Sequence, residues 1–135
     1  MRTILTCLTA ITLVTVASGS PALATQNLTC ATANGAAEID LLVGTLPGLS
    51  ILRAIYSAGG KDWSTEPAVV PGTMVYLSQG FSNDETIMVD FVDEQYMGTV
   101  AELRLFRSQE GEFLVLGGTF RIAGVGAWVV DCGDF

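Results

Sequence analysis

The sequence has no histidine, and its 135 residues include a single lysine, Lys61. Without an imidazole, Ser-His-Asp and Cys-His nucleophilic catalysis are excluded, and so are most zinc sites. Cysteine is sparse, at Cys7, Cys30 and Cys132. The one long apolar run, ILTCLTAITLVTVA from Ile4 to Ala17, covers fourteen residues, short of the roughly 20 that span a bilayer. Met1-Arg2-Thr3 gives this run a short positive start, and SGSPALA after it ends in Ala22-Leu23-Ala24, the small-x-small pattern that signal peptidases cut. Residues 1–24 therefore read as a cleaved secretory signal and not as a membrane anchor. Residues 25–135 read as one exported domain, periplasmic or secreted, with no lipid-attachment cysteine at the cut.

Removal of the signal takes Cys7 away and leaves Cys30 and Cys132 near the two ends of the domain. An even pair in an exported chain reads as a disulfide, here one that staples the first strand to the last. The exported part holds fourteen acids against five bases, a net charge of −9. Such a charge disfavours nucleic acid and anionic membrane surfaces, and it suits a basic protein partner.

The domain reads as all-β, an antiparallel β-sandwich or small barrel of about eight short strands. Thr99 to Arg107 is the clearest strand, with Val100, Glu102, Arg104 and Phe106 on one face and Ala101, Leu103, Leu105 and Arg107 on the other. SQEG (residues 108–111) reads as a turn into EFLVLGGTFRI, where Gly117-Gly118 marks a bulge or bend. Asn34-Gly35 signals a hairpin between Leu28–Ala31 and Ala36–Val43. Met74–Ser78 and Thr86–Val92 read as a pair joined by the polar loop QGFSNDE. Leu49–Tyr56 reads as either a strand or a two-turn helix. Phe81, Phe91, Phe106, Phe113, Phe120 and Trp128 are the expected aromatic core.

Few arrangements capable of chemistry survive. The triplet Gly59-Gly60-Lys61 suggests a phosphate loop, but that motif needs glycine at 55 and serine or threonine at 62, where the chain has Ile55 and Asp62. A Ser57–Lys61 dyad would need a lysine of lowered pKa, and a solvated lysine beside Asp62 is a poor base. Asp84-Glu85 and Asp90, Asp93 and Glu94 supply oxygen donors that suit calcium, yet without the register of a known calcium loop. Solvated loops are the simpler reading of these acids. No metal ligand, cofactor or catalytic residue is assigned, and a non-enzymatic protein is expected. Asn27-Leu28-Thr29 is a glycosylation sequon, relevant only in a eukaryotic secretory path.

What remains is a candidate recognition loop, Tyr56, Ser57, Gly59, Gly60, Lys61, Asp62 and Trp63 in YSAGGKDW. A Gly-Gly hinge can project a positive head and an apolar plate, Trp63, from a rigid scaffold. The opposing reading is an ordinary turn in which Trp63 folds onto the core and Lys61 pairs with Asp62 or Glu66. Through SAGGK, with Tyr56 and Trp63 alongside, and through the C-terminal WVVDC, the chain resembles the periplasmic lysozyme inhibitors of Gram-negative bacteria. These are small exported β proteins whose loops enter the lysozyme cleft. The resemblance implies that Ser57, Gly59, Gly60 and Lys61 meet the cleft carboxylates of a basic lysozyme. This loop departs from a tight Ser-Gly-x-x-Tyr pattern, because Ala58 intervenes and Trp63 stands in the place of a tyrosine. Two other readings are a small-ligand or calcium-binding envelope protein and a structural or assembly accessory of the envelope.

Overall fold

The computed structural model describes residues 25–133, so the signal-peptide reading of residues 1–24 lies outside the described residues. Ten strands follow one another: β1 (Gln26–Ala31), β2 (Ala37–Val43), β3 (Ile51–Ala58), β4 (Lys61–Ser64), β5 (Thr73–Met74), β6 (Tyr76–Ser82), β7 (Thr86–Val92), β8 (Thr99–Glu110), β9 (Phe113–Ile122) and β10 (Gly126–Cys132). No helix occurs among the described residues. The expected all-β class is found, with Leu49–Tyr56 resolved in favour of strand.

The strands form one sheet in the order β5-β4-β3-β2-β1-β10-β9-β8-β7-β6. Its first and last members, β5 and β6, belong to one stretch of chain interrupted only at Val75. The sheet therefore comes round on itself as a nearly closed barrel. With β5 and β6 sharing a lane, the ten strands make nine lanes. An odd ring cannot alternate in direction all the way round, so one neighbouring pair must be parallel. That pair is β4 with β5, joined at Trp63–Thr73 and Ser64–Met74. Every other pairing is antiparallel.

Alternation decides the interior. Ala37, Ile39, Leu41 and Val43 of β2 point inward, as do Ile87, Val89 and Phe91 of β7 and Ala101, Leu103 and Leu105 of β8, all of them buried. Each fully buried Ile, Leu, Val or Phe among them stabilises the fold by about 1.5–3 kcal/mol. The aromatic core differs from the expectation. Phe91 and Phe120 are buried, but Phe81, Phe106 and Phe113 are exposed. Tyr56 and Trp63 fill the interior in their place. Tyr56 stacks on Trp63 at 5.2 Å between ring centroids and touches Phe91 and Phe120.

Three local expectations also change. The β8–β9 turn falls at Gly111-Glu112 and not at SQEG, because β8 continues to Glu110 and pairs with Phe113. Gly111 at φ +60° supplies the left-handed first position that a two-residue hairpin turn requires. β6 extends through Gly80 and Phe81 to Ser82, which leaves only residues 83–85 of the polar loop. Finally, β9 runs through Gly117-Gly118 with no slip of register. These glycines are set by space and not by a bulge: a Cβ on Gly118 would overlap the Arg104 carbonyl. The register shifts occur instead at Leu42/Val43, Leu77/Gln79 and Phe91/Val92.

The weakest antiparallel seam joins the first strand to the last. β1 and β10 pair only at Cys30–Cys132 and Ala31–Asp131, and the predicted disulfide bridges the first of these couples across a separation of 102 residues. A cross-link there holds closed an antiparallel boundary with only two paired residues on each strand. Reducing it, or replacing both cysteines with serine, is expected to lower stability by up to about 4.7 kcal/mol, the chain-entropy figure for a loop of about 100 residues. Urea unfolding with and without reductant measures the loss. In the same assay Gly118→Ala is expected to cost more than about 2 kcal/mol, because backbone must move. Gly98→Ala is expected to change little, since nothing lies within 4 Å of its added Cβ.

Candidate functional site

YSAGGKDW forms the β3–β4 hairpin. Ala58 pairs with Lys61, Ser57 with Asp62 and Tyr56 with Trp63, leaving Gly59-Gly60 as a two-residue turn. Both glycines take positive φ, +59° and +73°. That combination is the primed turn whose twist matches the flanking strands, and it explains why two glycines stand together. The turn is a tight β corner and not a flexible hinge.

Alternation then sorts the candidate residues onto two faces. Tyr56 and Trp63 point into the barrel and are buried, so of the two sequence readings Trp63 follows the one that folds it onto the core and is not a projecting plate. Its ring is worth more against Tyr56 and the core than in water. Lys61 shares that face but lies at the rim, where it is exposed. Among the described residues it makes no ion pair, with Asp62, Glu66 or any other acid. Ser57 and Asp62 occupy the outer face, so Ser57 and Lys61 are on opposite sides of the hairpin. Across the barrel rim, a Cβ on Gly59 would lie 3.3 Å from Val125 Cγ1, so the β9–β10 turn supports the hairpin from inside.

Beside the hairpin lies a surface groove of about 340 Å³. Its floor is the outer face of β2, β3 and β4. The register aligns Glu38, Ser57 and Asp62 in one row, and Asp40, Ile55 and Ser64 in the next. Val70 and Pro71, from the connection between β4 and β5, form its far wall. Ser64 faces outward yet is fully buried under this connection, where its Oγ accepts a hydrogen bond from the Glu66 amide. Thr65 ties the same corner to β3: its Oγ1 accepts from the Ala54 amide at 2.9 Å. Three carboxylates, Glu38, Asp40 and Asp62, thus line a groove with apolar walls, and an unpaired ammonium stands just round the turn. Such a surface suits an ammonium or guanidinium from a partner, held by charge and packed on Ile55 and Val70.

Glu38, Asp40, Ile55, Val70 and Pro71 were not singled out from sequence. The alternation of AEIDLLV places Glu38 and Asp40 on one face, but only the register with β3 and β4 brings them to Ser57 and Asp62. The acids considered for calcium do not converge. Asp84 and Glu85 lie at one end of β7, Asp93 and Glu94 at the other, and a strand of seven residues separates them. Asp90 projects from the outer face with Oδ1 2.7 Å from Arg104 Nη1. Both Nη1 protons go to the carbonyls of Val89 and Leu103, so Asp90 meets the guanidinium charge without a hydrogen bond from that nitrogen. Glu102, held by Arg121 at 2.6 Å, completes this outer-face network, and that hydrogen bond pulls the Glu102 carboxyl below its usual range.

The Tyr56 hydroxyl is buried in the barrel with no hydrogen-bond partner among the described residues, and desolvation pushes its pKa well above that of an ordinary phenol. Only the neutral form fits there, so the phenol ionises in the unfolded chain first. Its contribution is therefore intact below about pH 10, the unfolded phenol value, and is lost as pH rises toward the folded one. Tyr56→Phe is expected to be neutral or stabilising by up to about 1 kcal/mol at pH 7, and to flatten the fall in stability above pH 10. Urea midpoints measured from pH 7 to 11 check both. Trp63→Ala is expected to cost about 3–5 kcal/mol in the same unfolding experiment, as a core residue would and a surface plate would not.

Compared with protein-family models, with curated proteins and with solved structures, the chain finds no match, and its site stands on its own geometry.

Proposed function

We propose that the chain is an exported, non-enzymatic binding domain that inhibits a lysozyme. In this reading the β3–β4 hairpin enters the cleft, and the adjoining carboxylate groove receives a basic side chain from the rim. The observation that carries it is the hairpin: a rigid Gly-Gly turn holding the chain's single lysine exposed and without an ion pair, next to three outward carboxylates. The division of labour follows from the faces of β4. Lys61 meets the acidic pair that a lysozyme cleft presents. Asp62, Glu38 and Asp40 meet the basic surface around it. Tyr56 and Trp63 support the hairpin from within and touch no partner.

The overall charge works in the same direction. The exported domain, with fourteen acids against five bases, is steered at −9 toward a basic enzyme, and its lone lysine arrives where a positive group is wanted. The hairpin is pre-organised by its turn and by the core beneath it, so little conformational entropy is lost on docking. Export to the periplasm belongs to the same proposal and would bring the domain to the compartment where lysozyme acts.

Two measurements test this. The purified protein in excess is expected to suppress cell-wall clearing by at least one of the c-, g- and i-type lysozymes; undiminished clearing with all three removes the proposal. Lys61→Glu is expected to weaken inhibition by at least tenfold while leaving the unfolding curve unchanged, since the residue is exposed. Full inhibition by that variant would leave the inhibitor but discard the hairpin as its contact.

A further inference from the structure

The β8–β9 hairpin outlasts its neighbours on both sides. β7 accompanies β8 only as far as the Thr86–Phe106 pair, and β10 accompanies β9 only as far as Asp131–Gly117. β8 and β9 continue together to Glu110–Phe113. A two-stranded ribbon therefore stands out from the wall. On its β9 side, Phe113–Leu116 pair with no strand among the described residues. A groove of about 400 Å³ runs there, lined by residues 112–116 with Cys132 and Gly133. It occupies the lane that β10 leaves after Cys132.

This edge is apolar. Phe113 is 81% exposed and Val115 63%, and both project from the outer face, as does the exposed Phe106 on the neighbouring β8. Soluble chains rarely leave so many apolar side chains together in water unless something covers them. The usual protections of a free edge are missing: residues 113–116 include no lysine and no proline, and β9 has no bulge. The chemistry around the edge restricts what can cover it. Glu110 and Glu112 stand at the tip and Asp131 at the opposite end, so carboxylates flank the apolar stretch on both sides. Carboxylates at the tip oppose insertion into lipid. A chain at −8 opposes a second copy with the same acids. An extended segment with apolar side chains and a basic residue at each end satisfies the edge amides, the apolar face and the carboxylates together.

We propose that the Phe113–Leu116 edge is a docking site for an extended, basic-flanked segment of another protein, which joins the sheet there as an additional strand. This surface is separate from the β3–β4 hairpin and does not rest on the lysozyme reading.

The probes are two synthetic peptides of alternating valine and threonine, one ended with lysines and one with glutamates, added to the isotope-labelled protein. The lysine-ended peptide is expected to shift the amide resonances of Phe113–Leu116 and slow their hydrogen exchange. It is expected to bind at least tenfold more tightly than the glutamate-ended one. Val115→Glu, at an exposed position, is expected to weaken that binding at least tenfold with an unchanged unfolding curve and unchanged lysozyme inhibition. Lys61→Glu is expected to leave peptide binding intact, so the two surfaces fail independently. Equal binding of both peptides, or shifts confined to other residues, overturns the proposal. So does a dimer in sedimentation that Val115→Glu abolishes, because the occupant is then a second copy. Flotation with phosphatidylcholine vesicles that Val115→Glu abolishes assigns the edge to lipid instead. Binding that appears only after residues 134–135 are deleted assigns it to the chain's own end.

Discussion

The structure depends on how an odd ring of strands closes. Nine lanes force one parallel boundary, and a parallel boundary cannot be reached by a short hairpin. After β4 the chain must travel back along the outside of the barrel before β5 can run beside it. That return, residues 65–72, buries Ser64, anchors itself through Thr65 on Ala54, and brings Gly72 against the backbone of Trp63, where a Cβ would stand 3.0 Å from the Trp63 carbonyl carbon. Val70 and Pro71 lie on the same return and wall the carboxylate groove. The groove is thus a by-product of closure, and the hairpin next to it is held on one side by the same seam.

Two short boundaries, β4–β5 and β1–β10, each have two paired residues, and the chain secures them by different means. β1–β10 has a covalent bond between facing strands. β4–β5 has no such link and relies on side chains behind it, where Trp63 stacks on Tyr56 and Tyr56 contacts Phe91 and Phe120. Placing a tyrosine there leaves its hydroxyl without a partner, a cost that a phenylalanine would avoid. The aromatic cluster tolerates that cost because it spans from β3 and β4 to β7 and β9 and so joins both halves of the wall through the interior.

Much of the wall could be read from sequence, because a half-buried strand alternates and Ala101, Leu103 and Leu105 show it. The Asn34-Gly35 turn and the Cys30–Cys132 pair were legible for the same local reasons: positive φ in one case, an even cysteine count in the other. Position in the barrel was not legible. Phe106 and Phe113 look like core residues, yet alternation with the buried Leu105 and Leu116 turns both to the outer face, and which face is the inner one is a property of the closed barrel, not of the local pattern. Trp63 could be read either way from sequence, as a plate projecting from a glycine turn or as a ring folded onto the core. Its face is fixed by pairing with Tyr56, whose own inward direction is set by β2. Gly117-Gly118 suggested a bulge, since a glycine pair carries the same signal for a kink as for a close backbone approach. The candidate site was half legible: its hairpin is local, whereas the groove needs Glu38 and Asp40 brought in from β2.

Strand direction also separates the two exposed features of the molecule. The β3–β4 turn lies at the end toward which β3 runs, and the β8–β9 turn at the end toward which β8 runs. Counting lanes from β3 through β2, β1, β10 and β9 to β8, the direction alternates at every step, so β3 and β8 run oppositely and their turns mark opposite ends of the barrel. Two or three lanes lie between the hairpins on either path round the wall, at about 4.8 Å for each lane. A partner seated on Lys61 and its carboxylate groove therefore approaches from one end and one side, and a strand added beside Phe113 from the other. Their chemistry differs too, a free ammonium with outward acids at one and an apolar open edge at the other. The two surfaces are therefore separate in position as well as in chemistry, and the occupants proposed for them would not overlap.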